Sequence, residues 1–173
     1  MSKAWITSID GKNEAEDEFG TAYARLKAEH ERLLGLLTAI RVAAERRTGE
    51  GGSECSEQEL LQLRDELIEF LHKLDEHAGW QKRELFPWLE TYCNARMVPS
   101  IQPSIWVMQK DRELAELFVR SFLKCVDSHD KQGQPQISEC LAHLVQACRM
   151  LQEHLSVEEE VVFPMAEQLQ WLH

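Results

Sequence analysis

The segment LDEHAGWQKRELFP at residues 74–87 returns 77 residues later as LQEHLSVEEEVVFP at residues 151–164. Each copy sets a histidine, His77 or His154, ten positions ahead of a proline. Each closes on an apolar residue and Phe-Pro: Leu85-Phe86-Pro87 and Val162-Phe163-Pro164. Upstream of both, apolar residues recur every three or four positions, the spacing that keeps one face of an α-helix turned inward. The first stripe reads Leu60, Leu63, Leu67, Phe70, Leu74, His77, Gln81; the second reads Cys140, Leu144, Ala147, Leu151, His154, Glu158, Val161. A weaker match lays Glu29-His30-Glu31-Arg32-Leu33 over Lys110-Asp111-Arg112-Glu113-Leu114. The chain reads as one helical hairpin used twice.

Working outward, four helices are expected at about 14–47, 56–94, 104–127 and 135–171, after an N-terminal arm over residues 1–13. The first carries Phe19, Tyr23, Leu26, His30, Leu33, Leu37, Ile40 and Ala44 on one face and stops at Thr48-Gly49-Glu50-Gly51-Gly52, where glycine favours a turn. Ser56 opens the second with Glu59 three residues on, a capping box. That helix should bend or end between Pro87 and Asn94, and Pro99 and Pro103 mark an irregular stretch. Ser104 is expected to cap the third helix, whose inward face reads Met108, Asp111, Leu114, Phe118, Phe122, Cys125. After the polar turn at 127–133, Pro135 suits the first turn of the fourth, where a missing N–H costs nothing. Four long amphipathic helices predict an all-α, antiparallel up-down-up-down four-helix bundle.

Composition narrows the partners. Over 173 residues, 19 Lys and Arg face 30 Asp and Glu, a net charge of −11. A phosphate backbone needs clustered basic residues and an anionic lipid surface repels acidic chains, so neither nucleic acid nor membrane is expected. No segment resembles a signal peptide or a membrane span. The five cysteines (55, 93, 125, 140, 148) include no CxxC pair and read as small core thiols, which points to the cytoplasm.

What stands out is a polar group in each stripe: His30, His77, Asp111 and His154, with Gln81 and Glu158 one turn further along. His30 lies about 26 Å before the first turn and His77 about 31 Å after it, at 1.5 Å per residue. Asp111 and His154 stand at similar depths about the second turn, so antiparallel hairpins should bring all four to one level. Burying a carboxylate among imidazoles is costly unless something satisfies the cluster. A metal ion would, since imidazole nitrogen and carboxylate oxygen suit iron, manganese and zinc. His154 and Glu158, at i and i+4, can reach one ion. Glu-x-x-His, the pattern of carboxylate-bridged ferritin-like bundles, is absent, because Lys27, Leu74 and Leu151 stand three before the histidines.

From about Phe19 to Met165 the chain resembles the hemerythrin-like (HHE cation-binding) domains. The family pattern is a His on the first helix, His-x-x-x-Glu on the second, His on the third, and His-x-x-x-Glu or a similar acid on the fourth. His30, His77, His154 and Glu158 fall on it. The resemblance implies a non-haem di-iron centre for O2 binding, redox or nitric-oxide sensing, or iron–sulfur repair. Two positions depart: Gln81 replaces the acid after His77, and Asp111 stands where the third-helix His belongs. One bridging carboxylate is lost and another carboxylate returns on a different helix, so a single iron or a substituted pair becomes an alternative to a symmetric di-iron centre. Metal ligands are therefore expected at His30, His77, His154, Glu158 and Asp111, with Gln81 as their hydrogen-bonding neighbour.

Iron, as a pair or singly, is the expected cofactor, with manganese and zinc as further candidates; the expected ligand is a small diatomic molecule, and a homodimer is a further expectation. Turnover is not expected, since nothing beyond the cluster would orient a substrate. The competing reading is a metal-free bundle that lost the di-iron site and serves protein interaction or dimerisation. Plainer roles suit the rest. His72 and His129 should be exposed, and Glu159 and Glu160 solvated. Cys140 and His143 could form a minor thiolate–imidazole site, and Trp80, Trp88, Trp106 and Trp171 should pack the bundle end.

Overall fold

The computed structural model describes residues 7–48, 55–128 and 134–171, with side chains over 20–48, 55–128 and 137–168. Helix α1 spans Thr7–Thr48, α2 Glu57–Trp80, α3 Phe86–Arg96, α4 Gln102–Ser128, α5 Gln134–Val157 and α6 Phe163–Trp171. Five-residue π-turns, Gln81–Leu85 and Glu158–Val162, join α2 to α3 and α5 to α6 without breaking the rod. The molecule is an up-down-up-down four-helix bundle: α1 packs on α2 and α5, and α4 packs on α5 and α2. Of the expected arm over 1–13, residues 7–13 belong to α1, and 1–6 lie outside the described residues. Phe19's side chain, the Gly49–Gly52 turn, His129 and the rest of the second turn, Trp171's side chain and His173 also lie outside them.

Local chemistry explains most boundaries. At the start of α2 the Ser56 hydroxyl accepts from the Glu59 N–H (3.2 Å), and the Glu59 carboxylate accepts from the Ser56 N–H (2.9 Å), so the capping box forms as expected. Arg47 adds a 2.8 Å ion pair, and together these partners pull the Glu59 pKa down to about 2. Helix α3 ends with Met97 at φ 56°. The Val98 N–H returns to the Cys93 carbonyl and the Met97 N–H to that of Asn94, a Schellman closure.

Helix α4 starts two residues earlier than expected, and Ser104 does not cap it. Its N–H and that of Ile105 already bond to the Ile101 carbonyl, while Ser100 Oγ accepts from the Gln102 N–H (3.1 Å). Pro103 sits inside the first turn, where it displaces no bond. The stripe of α4 is also rotated: Ala115 and Val119 are buried with Met108, Phe122 and Cys125, whereas Leu114 is 48% exposed. Leu114 imitates an inward spacing that small Ala115 fulfils, because α4 packs closely on α5.

The apolar side chains divide into two cores. The larger, toward the hairpin turns, holds Leu33, Leu37, Phe70, Leu74, Phe122, Leu144 and Leu151; the smaller, at the opposite end, holds Tyr23, Leu26, Trp80, Leu85, Met108 and Val162. Fully burying each large apolar side chain stabilises the bundle by about 1.5–3 kcal/mol before chain entropy is counted. Between the cores lies a polar belt of His30, His77, Gln81, His154 and Glu158, each no more than 5% exposed.

Two expectations about the cysteines and tryptophans change. A disulfide joins Cys125 to Cys140 across the α4–α5 hairpin, with Cα atoms 5.4 Å apart, so these are not separate thiols. A Cys140 thiolate beside His143 is thereby excluded. Cys55, Cys93 and Cys148 are buried thiols, and burial pushes the Cys148 pKa up to about 12. Trp80 is buried as expected, but Trp106 is 60% exposed and Trp88 reaches the surface. Among the described residues no helix is long and apolar enough to cross a membrane.

Candidate metal centre

The two π-turns place the centre. Proline has no N–H, and its ring collides with the carbonyl four residues earlier in an α-helix. Ahead of Pro87 and Pro164 the chain widens: the Phe86 N–H bonds to the Gln81 carbonyl and the Phe163 N–H to that of Glu158, five residues back. Each wide turn begins four residues after a histidine, so the repeat in the sequence is a repeat in backbone shape. The extra residue rotates the end of the turn, and Val162 rather than Val161 faces inward, matching Leu85 in the first copy.

Glu158 starts the second π-turn, wholly buried, and its carboxylate joins three helical rods. One oxygen lies 3.0 Å from His30 Nδ1 on α1 and the other 3.0 Å from His77 Nε2 on α2. The opposite nitrogen of His77 donates to Glu29 on α1 (2.7 Å), and Arg25 holds Glu29 in turn at 2.7 Å. Burial pulls the His77 pKa down, but the hydrogen bonds and charges of Glu158 and Glu29 outweigh it and hold the pKa above its ordinary value. For Glu29, burial raises the pKa and the bonds to His77 and Arg25 lower it; the net direction is down.

His30 and His154 behave differently. Burial lowers the pKa of each below the usual imidazole value despite the nearby charge of Glu158. His154 Nδ1 donates to the Met108 carbonyl on α4 (2.8 Å), so a neutral His154 keeps a bare Nε2. His30 Nε2 is buried and has no hydrogen-bond partner among the described residues; it lies 3.8 Å from Glu159, with Phe163 edge-on at 4.9 Å. Gln81 occupies in the first π-turn the place of Glu158 in the second; it is 1% exposed, and its Nε2 also lacks a partner.

The sequence-predicted residues thus divide. His30, His77 and Glu158 meet directly, and His154 and Gln81 border them. Asp111 is half-buried on α4; among the described residues it makes no hydrogen bond or ion pair, and it acts on His154 only through its charge. Glu29 and the Met108 carbonyl escaped the sequence reading. Glu29 left a trace as an acid beside His30 on the edge of α1 that faces α2; a backbone carbonyl leaves none. Glu159 and Glu160 are solvent-exposed or nearly so, and His72 is exposed, as expected.

These groups suit a cation. Ligands at right angles around an ion, each about 2.1 Å from it, stand about 3 Å apart, the spacing of both imidazole nitrogens from Glu158. A carboxylate behind His77 and a carbonyl behind His154 fix the rings as they do for metal-bound histidines. The donors at present bond to one another: among the described residues no group of three or more His, Cys, Asp or Glu side chains already forms a site that could hold an ion. Binding therefore requires the cation to displace ring protons.

A buried imidazole–carboxylate node at the waist of a four-helix bundle defines a class of helical cation-binding scaffold. The family sequence model for the hemerythrin HHE cation-binding domain matches residues 21–167, and the chain belongs to that family. Membership supports a general metal-binding role. Comparison with curated proteins and with solved structures gives no match.

Proposed function

We propose that this protein binds iron at the node of His30, His77 and Glu158 and uses it to sense or handle O2, nitric oxide or iron itself. The observation that carries the reading is the Glu158 carboxylate held between the two rings, with Glu29 behind His77. His154 and Asp111 lie beside the node, and among the described residues neither shares a hydrogen bond with His30, His77 or Glu158. Bound iron would supply a redox-active centre with affinity for small diatomic ligands. The chain itself does the rest: Glu29 keeps His77 Nδ1 protonated, so that Nε2 faces inward, while Trp80 packs beside the His77 ring and Phe163 beside that of His30. Manganese and zinc suit the same donors.

Elemental analysis of the purified chain beside His30→Ala and His77→Ala tests this. Metal in the wild type and loss in both variants is the expected result; full metal content in both overturns the assignment.

A second reading, a metal-free interaction module, draws on Gln81 and Asp111, where acid and imidazole are missing from the family pattern. An aerobic absorption spectrum and a chelator challenge separate the two. Charge-transfer bands in the near ultraviolet support iron, and a colourless, chelator-indifferent chain without metal supports the scaffold.

A further inference from the structure

Resting on the metal-binding reading, we propose that the centre holds one ion per chain, carried by two histidines and one carboxylate, and that Gln81 excludes a second. Charge is the first argument. The belt holds a single buried acid, Glu158, with Glu29 adjoining it through His77. With Arg25 already paired to Glu29, these two carboxylates match at most one dication. A second dication would leave two charges uncompensated between two apolar cores, where desolvation is least repaid.

Geometry is the second argument. Both oxygens of Glu158 are directed to one pair of rings, His30 on α1 and His77 on α2. The position that repeat symmetry offers a second bridging acid belongs to Gln81, a neutral amide whose buried NH2 is a donor without a partner among the described residues. Around His154 the charges oppose one another: Glu158 and Asp111 favour a cation on that ring, and Arg112, itself paired to Asp75, opposes one. The Arg112 guanidinium acts on that ring, and it lines with Gln81 and His154 a cavity of about 520 Å³. Asp111, the only acid acting there besides Glu158, is half-exposed and paired to nothing among the described residues. Two imidazoles and one carboxylate from three separate helical rods are the donor set that suits a single Fe(II).

The test is anaerobic loading of the full chain with Fe(II), and separately Mn(II), followed by removal of free metal and determination of ions per chain. One ion is expected in the wild type and in His154→Ala, and none in Glu158→Gln. In Gln81→Glu the capacity should rise twofold. Mn(II) resonance gives a readout independent of that variant's folding: an isolated ion shows a resolved six-line hyperfine pattern, whereas a pair shows exchange-coupled broadening. Two ions per wild-type chain, or a coupled Mn(II) signal, overturns the single-ion proposal while leaving metal binding intact. Loss of the ion in a folded His154→Ala overturns the three-ligand assignment. No ion in the wild type overturns the metal reading beneath both.

Discussion

The two π-turns have the same length, the same closing bond from a Phe N–H and the same proline after it, yet one presents Gln81 and the other Glu158. Glu158 binds rings on two helices, while the Gln81 amide nitrogen is buried without a partner. A duplicated backbone therefore does not imply duplicated chemistry. Shape is set by Phe-Pro and the apolar stripe, which both copies retain. Chemistry is set by one side chain, and a single nitrogen in place of an oxygen turns an anionic acceptor into a neutral amide.

The largest effect should come from making the turns alike. Glu158→Gln removes the buried charge, and metal affinity should fall by about 1000-fold or more, beyond the 10- to 100-fold typical of residues that only orient ligands. Elemental analysis reads the loss. Next comes the backbone: Pro164→Ala lets the second turn relax toward α geometry and rotates Glu158 off its rings, lowering affinity by about 10- to 100-fold. Pro87→Ala should leave metal content unchanged, because Gln81 is not a ligand. Equal losses in a competitive chelator titration of the two variants would erase the distinction between the turns.

Glu29→Gln tests the support behind His77 and should weaken metal binding by about 10-fold, with the fold intact by circular dichroism. Gln81→Leu should stabilise the chain by about 1 kcal/mol, since it removes an unpartnered buried amide, and raise Tm by about 2–4 °C. A lower Tm would mean that the amide has work to do. The smallest effect lies far from both turns, at the α2 cap. The Glu59 pKa is depressed to about 2, so its contribution is present above the ordinary carboxylate range and is lost as pH falls from about 4.5 through 2. Thermal melts of Glu59→Gln against pH should converge with wild type at the acid end.

Legibility in the sequence tracked periodicity. The stripes of α1, α2 and α5 named the buried face correctly because large apolar residues and histidines occupy nearly every inward position. On α4 the stripe misled, since Leu114 points outward and Ala115 does the packing. The same rotation moved Asp111 from the expected centre to its margin. The cysteines misled because residues 15 apart become neighbours only once the hairpin closes.

The helices, their pairing into two like hairpins, the family and the three histidines buried among the described residues were determined by the sequence alone. Each is a matter of local spacing, and local spacing survives without the partner helices. The tertiary structure decided which donors share a carboxylate, that Glu29 and the Met108 carbonyl orient the rings, and that Asp111 stays aside. Those outcomes turn on rotations of roughly one residue, about 100° around a helix, which only packing against neighbouring helices can set.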